Sequence, residues 1–290
     1  MTFEFHSFRF TFSAIDPIAF PPGQPGNILR GAFGHAFRGI ACEPHCPGAG
    51  KCPQRESCAY ARIFEAASSG RSGPSGLGDR PRPFAFRAAY LDGQTLQPQQ
   101  RFWFGLNLFE ARDPPLEILA QVFARLAKDG LGPLRGRADV VSVEQRKVSL
   151  SLVAAPAESR TLEVEFVTPT ELKSADGLVA RPEFEILFAR VRDRVSTLRE
   201  LYGPGPLEID FRAMGERAAA VRMTRCELRQ VNRARRSSRT GQRHGIGGFV
   251  GMVEYQGQLG EFLPYLKAAQ WTGVGRHCGW GNGELRVVPS

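Results

Sequence analysis

Phe3-Glu4-Phe5-His6-Ser7-Phe8-Arg9-Phe10-Thr11-Phe12 opens the chain, and Asn27-Ile28-Leu29-Arg30-Gly31-Ala32-Phe33-Gly34-His35-Ala36-Phe37-Arg38 follows a turn at 16–26. In the first stretch Phe8, Phe10 and Phe12 recur every second residue, the period of a half-buried strand. In the second, Leu29, Phe33, Ala36, Phe37 and Ile40 fall on one side of a 3.6-residue wheel. Asn27 is placed to cap that helix, and Arg30, Gly31, Gly34, His35 and Arg38 take the opposite side. The chain thus begins strand, then helix.

The same arithmetic extends outward. Residues 83–90 and 102–109 read as strands, 116–129 as a helix with Leu116, Leu119, Phe123 and Leu126 inward, and 139–153 as a strand. After a linker at 154–160 the order repeats: a strand through Leu162, Val164 and Phe166, a helix over 182–202, a hairpin of 221–231 with 248–255, a short helix over 259–269 and a last strand at 284–288. In the long helix Arg190, Arg192, Arg194 and Arg199 are expected to face out. Two βαββαβ units in one chain predict an α+β protein of tandem ferredoxin-like (RRM-like) domains, residues 1–153 and 160–290. A cysteine-bearing insertion at about 41–83 interrupts the first, and its Ser/Gly/Pro-rich part, 68–83, reads as a loop.

Composition narrows the class. With 290 residues, 42% hydrophobic and 23% charged, two ordinary globular domains are expected, and no apolar run is long enough to span a membrane. A signal-peptide core is not visible in an N-terminus that carries Glu4, His6 and Arg9, so a cytoplasmic location is expected. The net charge is +9, and of 38 basic side chains only 5 are lysine. Arginine forks phosphate, although a GC-rich genome would give the same bias.

Three further clusters bear chemistry. Cys42, Cys46, Cys52 and Cys58 lie in one short loop bent by Pro and Gly, enough thiolates to close a tetrahedral site. Zinc is the first expectation and an iron–sulfur cluster the alternative; His45 could replace one thiolate. Gly273, Gly275, Gly279, Gly281 and Gly283 alternate with Arg276 and His277 in a loop whose lack of Cβ atoms would let a phosphate backbone approach main-chain N–H groups. A shorter relative occupies 130–137. Between the strands of the second hairpin, Arg233, Arg235, Arg236, Arg239 and Arg243, with Ser237, Ser238 and His244, concentrate positive charge that calls for an anionic partner.

Four blocks in this order resemble the CRISPR repeat-processing endoribonucleases of the repeat-associated RNA-binding superfamily: 29–38, the cysteine loop ending Cys58-Ala59-Tyr60-Ala61-Arg62-Ile63-Phe64-Glu65, Arg236-Ser237-Ser238-Arg239 with Gly247-Gly248-Phe249-Val250-Gly251, and the C-terminal glycine loop. The resemblance implies an enzyme that cuts precursor RNA once per repeat without a catalytic metal, often staying bound to the product. In that family the ribose 2′-OH attacks the adjacent phosphate, giving a 2′,3′-cyclic phosphate and a 5′-OH. It also implies His35 as acid or base, with Arg30, Arg38 and Arg239 clamping the phosphate, and the arginine hairpin and glycine loop positioning RNA. Many relatives pair the histidine with a lysine or tyrosine; lysines are scarce here and only Lys51 of the cysteine loop lies near these blocks, so catalysis is expected to lean on arginines, with His244 and His277 as candidates for the acid. The partners so implied are repeat RNA and other subunits of a CRISPR complex, with no membrane. The alternative function is a non-catalytic RNA-binding subunit of a CRISPR effector complex.

Overall fold

The computed structural model describes residues 1–23, 25–43, 45–66, 80–154, 160–175, 177–232, 234–236 and 243–289, with backbone alone at 234–236, 243–244 and 289. The expected loop at 68–83 therefore falls for the most part outside the described residues. So does most of the expected linker at 154–160.

The first unit runs β1 (Thr2–Ala14), α1 (Pro25–Ala41), α2 (Ala59–Ile63), β2 (Phe84–Arg87), β3 (Arg101–Leu108), α3 (Leu116–Asp129) and β4 (Ala138–Ser151). Its antiparallel sheet has the order β2-β3-β1-β4, with Phe8 opposite Leu106 on one side and Gln145 on the other. The second unit runs β5 (Thr161–Thr170), α4 (Phe184–Tyr202), α5 (Phe211–Ala218), β6 (Arg222–Val231), β7 (Gly248–Gln256), α6 (Leu263–Thr272) and β8 (Leu285–Pro289). Its sheet order, β6-β7-β5-β8, is that of the first. Both are ferredoxin-like: the two central strands are the first and third of each unit, which is how a split βαβ repeat closes.

Alternation explains the first core. Phe8, Phe10 and Phe12 point from β1 to the helical layer, where Phe10 stacks on Phe123 of α3 at 3.8 Å between ring centroids and Phe33 of α1 stacks on the same ring at 5.4 Å. Each such ring withdrawn from water contributes about 2–3 kcal/mol. The strand then changes face. Phe3 and Phe5 are buried on the opposite side, where Phe5 meets Trp271 at the end of α6 at 5.2 Å. These two phenylalanines join the core of the second unit, so β1 serves both.

The long helix departs from expectation. Arg192 donates to the Phe211 carbonyl at 2.6 Å, Arg194 to the Thr272 carbonyl at 3.0 Å, and Arg199 is buried. These arginines do not face out, because α5 and the end of α6 pack over that side, where their carbonyls accept from Arg192 and Arg194. α5 itself was not expected; Asp210 caps it by accepting from the amides of Arg212 and Ala213. No helix of the described residues is long and apolar enough to cross a membrane.

Candidate functional site

α1 begins at Pro25, two residues before the expected cap at Asn27, so Asn27 lies inside its first turn. Proline suits that place because its missing N–H has no helical partner there. Leu29, Phe33, Ala36 and Phe37 are buried as predicted, while Gly31, His35 and Arg38 are exposed on one side. Gly34 is not on that open face. A Cβ at Gly34 would fall within 3.0 Å of the Phe64 ring, so the glycine is there to seat Phe64 on the helix.

Arg30 follows Phe64 rather than His35. Its guanidinium lies over the Phe64 ring at 4.7 Å and over the Trp280 ring at 5.4 Å. His277 stacks on the other partner of this group, Trp280, with centroids 4.6 Å apart and planes 6° from parallel. The fold thus gathers Arg30 of the first unit and His277 of the second through Trp280. Sequence reasoning missed Trp280 because a lone Trp in a glycine loop reads as packing. Arg38 donates to the Cys46 carbonyl at 3.3 Å, which ties the exposed end of α1 to the cysteine loop.

The glycine loop has internal reasons for its glycines. At Gly275 a Cβ would strike the Glu171 carbonyl and at Gly283 the Val274 carbonyl, both at positive φ. Gly273 and Gly283 are buried in the same fold-back, while Gly275, Gly279 and Gly281 are half-buried. Arg276 is exposed but paired with Glu171. His277 takes a left-handed conformation, φ 64°, that starts the 3-10 turn Cys278–Trp280. Gly26 packs under this turn. The related loop at 130–137 closes in the same way, through Gly130 on Arg135 and Gly132 on Ala19.

Of the arginine hairpin, short strands 234–236 and 243–245 pair, with Arg235 opposite His244 and Arg236 opposite Arg243. Arg233, Ser237, Ser238 and Arg239 lie outside the described residues, as do the side chains of Arg235, Arg236, Arg243 and His244. A cleft of about 80 Å³ lies between the two units, lined by Pro25 and Gly26 on one side and Thr168, Arg229 and Asn282 on the other.

The four loop cysteines are reduced. Cys42 lies near Cys46 and Cys58, and Cys52 near Cys46. Burial first, and then the neighbouring thiols Cys58 and Cys46, push the Cys42 thiol up to about 12. Four thiols are the donor chemistry of a tetrahedral thiolate site, in which a metal would absorb the charge that opposes their ionisation. As the side chains stand, no group of three or more His, Cys, Asp or Glu among the described residues is arranged to hold an ion. Tyr60, the nearest tyrosine to this loop and to α1, donates to Glu65 at 3.2 Å, and burial and that carboxylate raise its pKa. It is a hydrogen-bond donor and not a base at neutral pH.

Comparison with known proteins then bears on the whole chain. The family model of the AF_1859 N-terminal domain matches residues 3–164, and that of CRISPR-associated endoribonuclease Cas6 matches 164–285. No curated protein matches the chain. Among solved structures, a Cas6 product complex aligns at TM-score 0.61 with 15% identity over 99% of this chain and 100% of that one. Thermus thermophilus Cas6 aligns at 0.58 with 14% identity over 99% of each chain. A partial Cas6-RT-Cas1–Cas2 complex aligns at 0.62 with 9% identity over 99% of this chain and 46% of that one. At these identities the likeness is one of fold.

Proposed function

On the match of residues 164–285 to the CRISPR-associated endoribonuclease Cas6 family model, we propose that the chain is an endoribonuclease that cuts precursor CRISPR RNA within the repeat and holds the product. The observation that carries this reading is the exposed pair His35 and Arg38 on α1, the helix whose Arg30 lies over Trp280 of the second unit, on which His277 stacks. An imidazole and guanidinium groups supply what the chemistry demands, so no catalytic metal is invoked. His35 takes the proton from the ribose 2′-OH, whose oxygen forms the new bond to phosphorus. The phosphorus–O5′ bond breaks, and the 5′-oxygen takes a proton from an acid, for which His277 and His244 are the candidates. The products are a 2′,3′-cyclic phosphate and a 5′-OH. Arg38, with Arg239 and Arg30, offsets the charge of the phosphorane. The arginine hairpin and the exposed Arg276 hold the flanking RNA.

The cysteine loop belongs to the same reading as a structural staple. Cys42, Cys46, Cys52 and Cys58 would hold zinc, with an iron–sulfur cluster as the alternative, and through the Cys46 carbonyl the loop steadies Arg38.

The partners are repeat RNA and, on the pattern of the Cas6-RT-Cas1–Cas2 neighbour, other CRISPR proteins. The test is incubation with cognate repeat RNA in EDTA, beside the same RNA carrying a 2′-deoxy sugar at the cut site. One cut in the first and none in the second is expected. Binding without a cut in either, with added divalent metal restoring nothing, would make the protein a non-catalytic RNA-binding subunit instead.

A further inference from the structure

The helices cover one face of each sheet, and the two remaining faces differ in how their arginines are used. On the second sheet Arg225 pairs with Glu163 and Arg286 with Glu165 at 3.2 Å, so charge is neutralised within the sheet. On the first sheet the register places Arg9, Trp103, Arg101 and Arg146 on the open face, with Glu144 and Asp139 also facing that way. Here the guanidinium groups turn to rings. Arg9 lies 4.2 Å over the Trp103 indole, and Arg146 lies 5.3 Å over Trp271.

Tyr90 completes the first of these groups. It sits in the 3-10 turn Ala89–Leu91, stacks on Trp103 at 4.8 Å and 24°, and is 43% exposed. Its hydroxyl accepts from the Trp103 amide at 2.6 Å and donates to the Trp103 carbonyl, which locks the ring in place. Such a stack has no part in the core: Arg9 and Tyr90 are exposed and belong to neither hydrophobic cluster. Its position relates it to the site already described, since Ala88 and Ala89, next to Tyr90 in the chain, line the cleft between the units opposite Thr168 and Arg229.

We propose that the open face of the first sheet is a platform for single-stranded RNA, with bases stacked on Tyr90 and on the Arg9–Trp103 pair and phosphates held by Arg101 and Arg146. A rigid exposed ring fixed by two hydrogen bonds loses little entropy when a base covers it, and a guanidinium already aligned with an indole offers a second plane for stacking. Arginines outnumber carboxylates on this face, which favours a polyanion. Stacking is indifferent to base identity, so the platform would grip RNA leaving the cleft whatever its sequence. The inference rests on the reading of the chain as an RNA-processing protein.

The experiment measures binding of a fluorescein-labelled 12-nucleotide oligouridylate to the full chain by anisotropy, alongside cleavage of the repeat. Tyr90→Leu and Arg9→Gln are each expected to weaken oligouridylate binding about tenfold. Arg101→Gln should lower the salt dependence of log K by close to one ion. Arg9→Gln changes an exposed side chain, so it serves should Tyr90→Leu unfold the turn. Photocrosslinking of 5-bromouridine RNA to the unaltered protein should label the peptide holding Tyr90 or Trp103. Affinities unchanged within twofold in folded variants, or equal binding of polyglutamate, would overturn the platform. An unaltered protein that does not cut the repeat but binds oligouridylate, with that binding weakened tenfold in the variants, would support the platform and overturn the endonuclease reading alone.

Discussion

Gly26 in the first turn of α1 lies directly beneath the carbonyl of Trp280, so closely that a Cβ on Gly26 would come within 3.0 Å of that oxygen. The contact joins the helix that carries His35 to the loop that carries His277. Gly26→Ala should therefore destabilise the protein by about 1–3 kcal/mol, the cost of overpacking. That is opposite in sign to the gain of about 1 kcal/mol that alanine brings to a free helix. Urea unfolding of the two proteins decides between them.

A second clamp across the units is electrostatic. Arg87 on β2 donates to the carbonyls of Gln270 at 3.0 Å and Trp271 at 2.7 Å, and Asn107 donates to the same Trp271 carbonyl at 2.9 Å. These are among the last carbonyls of α6, left without helical donors and at the negative end of its dipole. Arg87→Leu is expected to cost about 2–3 kcal/mol, and Arg87→Lys to recover only part of it, because one ammonium cannot reproduce the fork. Denaturant midpoints of both variants provide the check.

Much of this arrangement was legible in the sequence. Periods of two and of 3.6 residues located all eight sheet strands and four of the six α-helices among the described residues, α1, α3, α4 and α6, because each of these elements buries one face. The second role of β1 was not legible: Phe3 and Phe5 look like the start of the same alternation that Phe8 continues, and only the docking of Trp271 explains them. The inward arginines of α4 escaped for a related reason. The carbonyls that accept from them belong to α5 and α6, distant in sequence. At the site, His35 and Arg38 were correctly placed on an exposed face, whereas Gly34 was drawn to the interior by Phe64. Glycine density was read as openness to phosphate, yet at Gly275 and Gly283 it reflects a chain folded tightly on itself. A left-handed loop that packs on backbone and one that admits a ligand have the same composition.

Stability should depend on pH through His6, which is buried on β1 near Gln145. Burial first, and then the charge of Lys147, lower its pKa below 6.5, against a smaller opposing pull from Glu4. The folded state thus prefers neutral imidazole, and its stabilising contribution is whole above pH 6.5 and shrinks as pH falls from there through the lowered value. Urea midpoints measured between pH 7.5 and 5.0 should fall less steeply in His6→Gln than in the unaltered protein.

The cysteine loop gives a further test. Purified protein should carry about one equivalent of zinc, and cobalt in its place should show the visible absorption of a tetrahedral thiolate site. Cys52→Ser should lower metal content and thermal midpoint together. A brown chromophore would assign the iron–sulfur alternative, and protein that takes up no metal at any stage of refolding would remove the staple.

His35→Ala removes the group on α1 proposed to move a proton during RNA cleavage. Single-turnover cleavage of cognate repeat RNA in EDTA should slow by about 100-fold or more. Affinity for the RNA should stay within a few fold, since phosphate contacts dominate binding. Cleavage by His35→Ala at the rate of the unaltered protein would contradict the account.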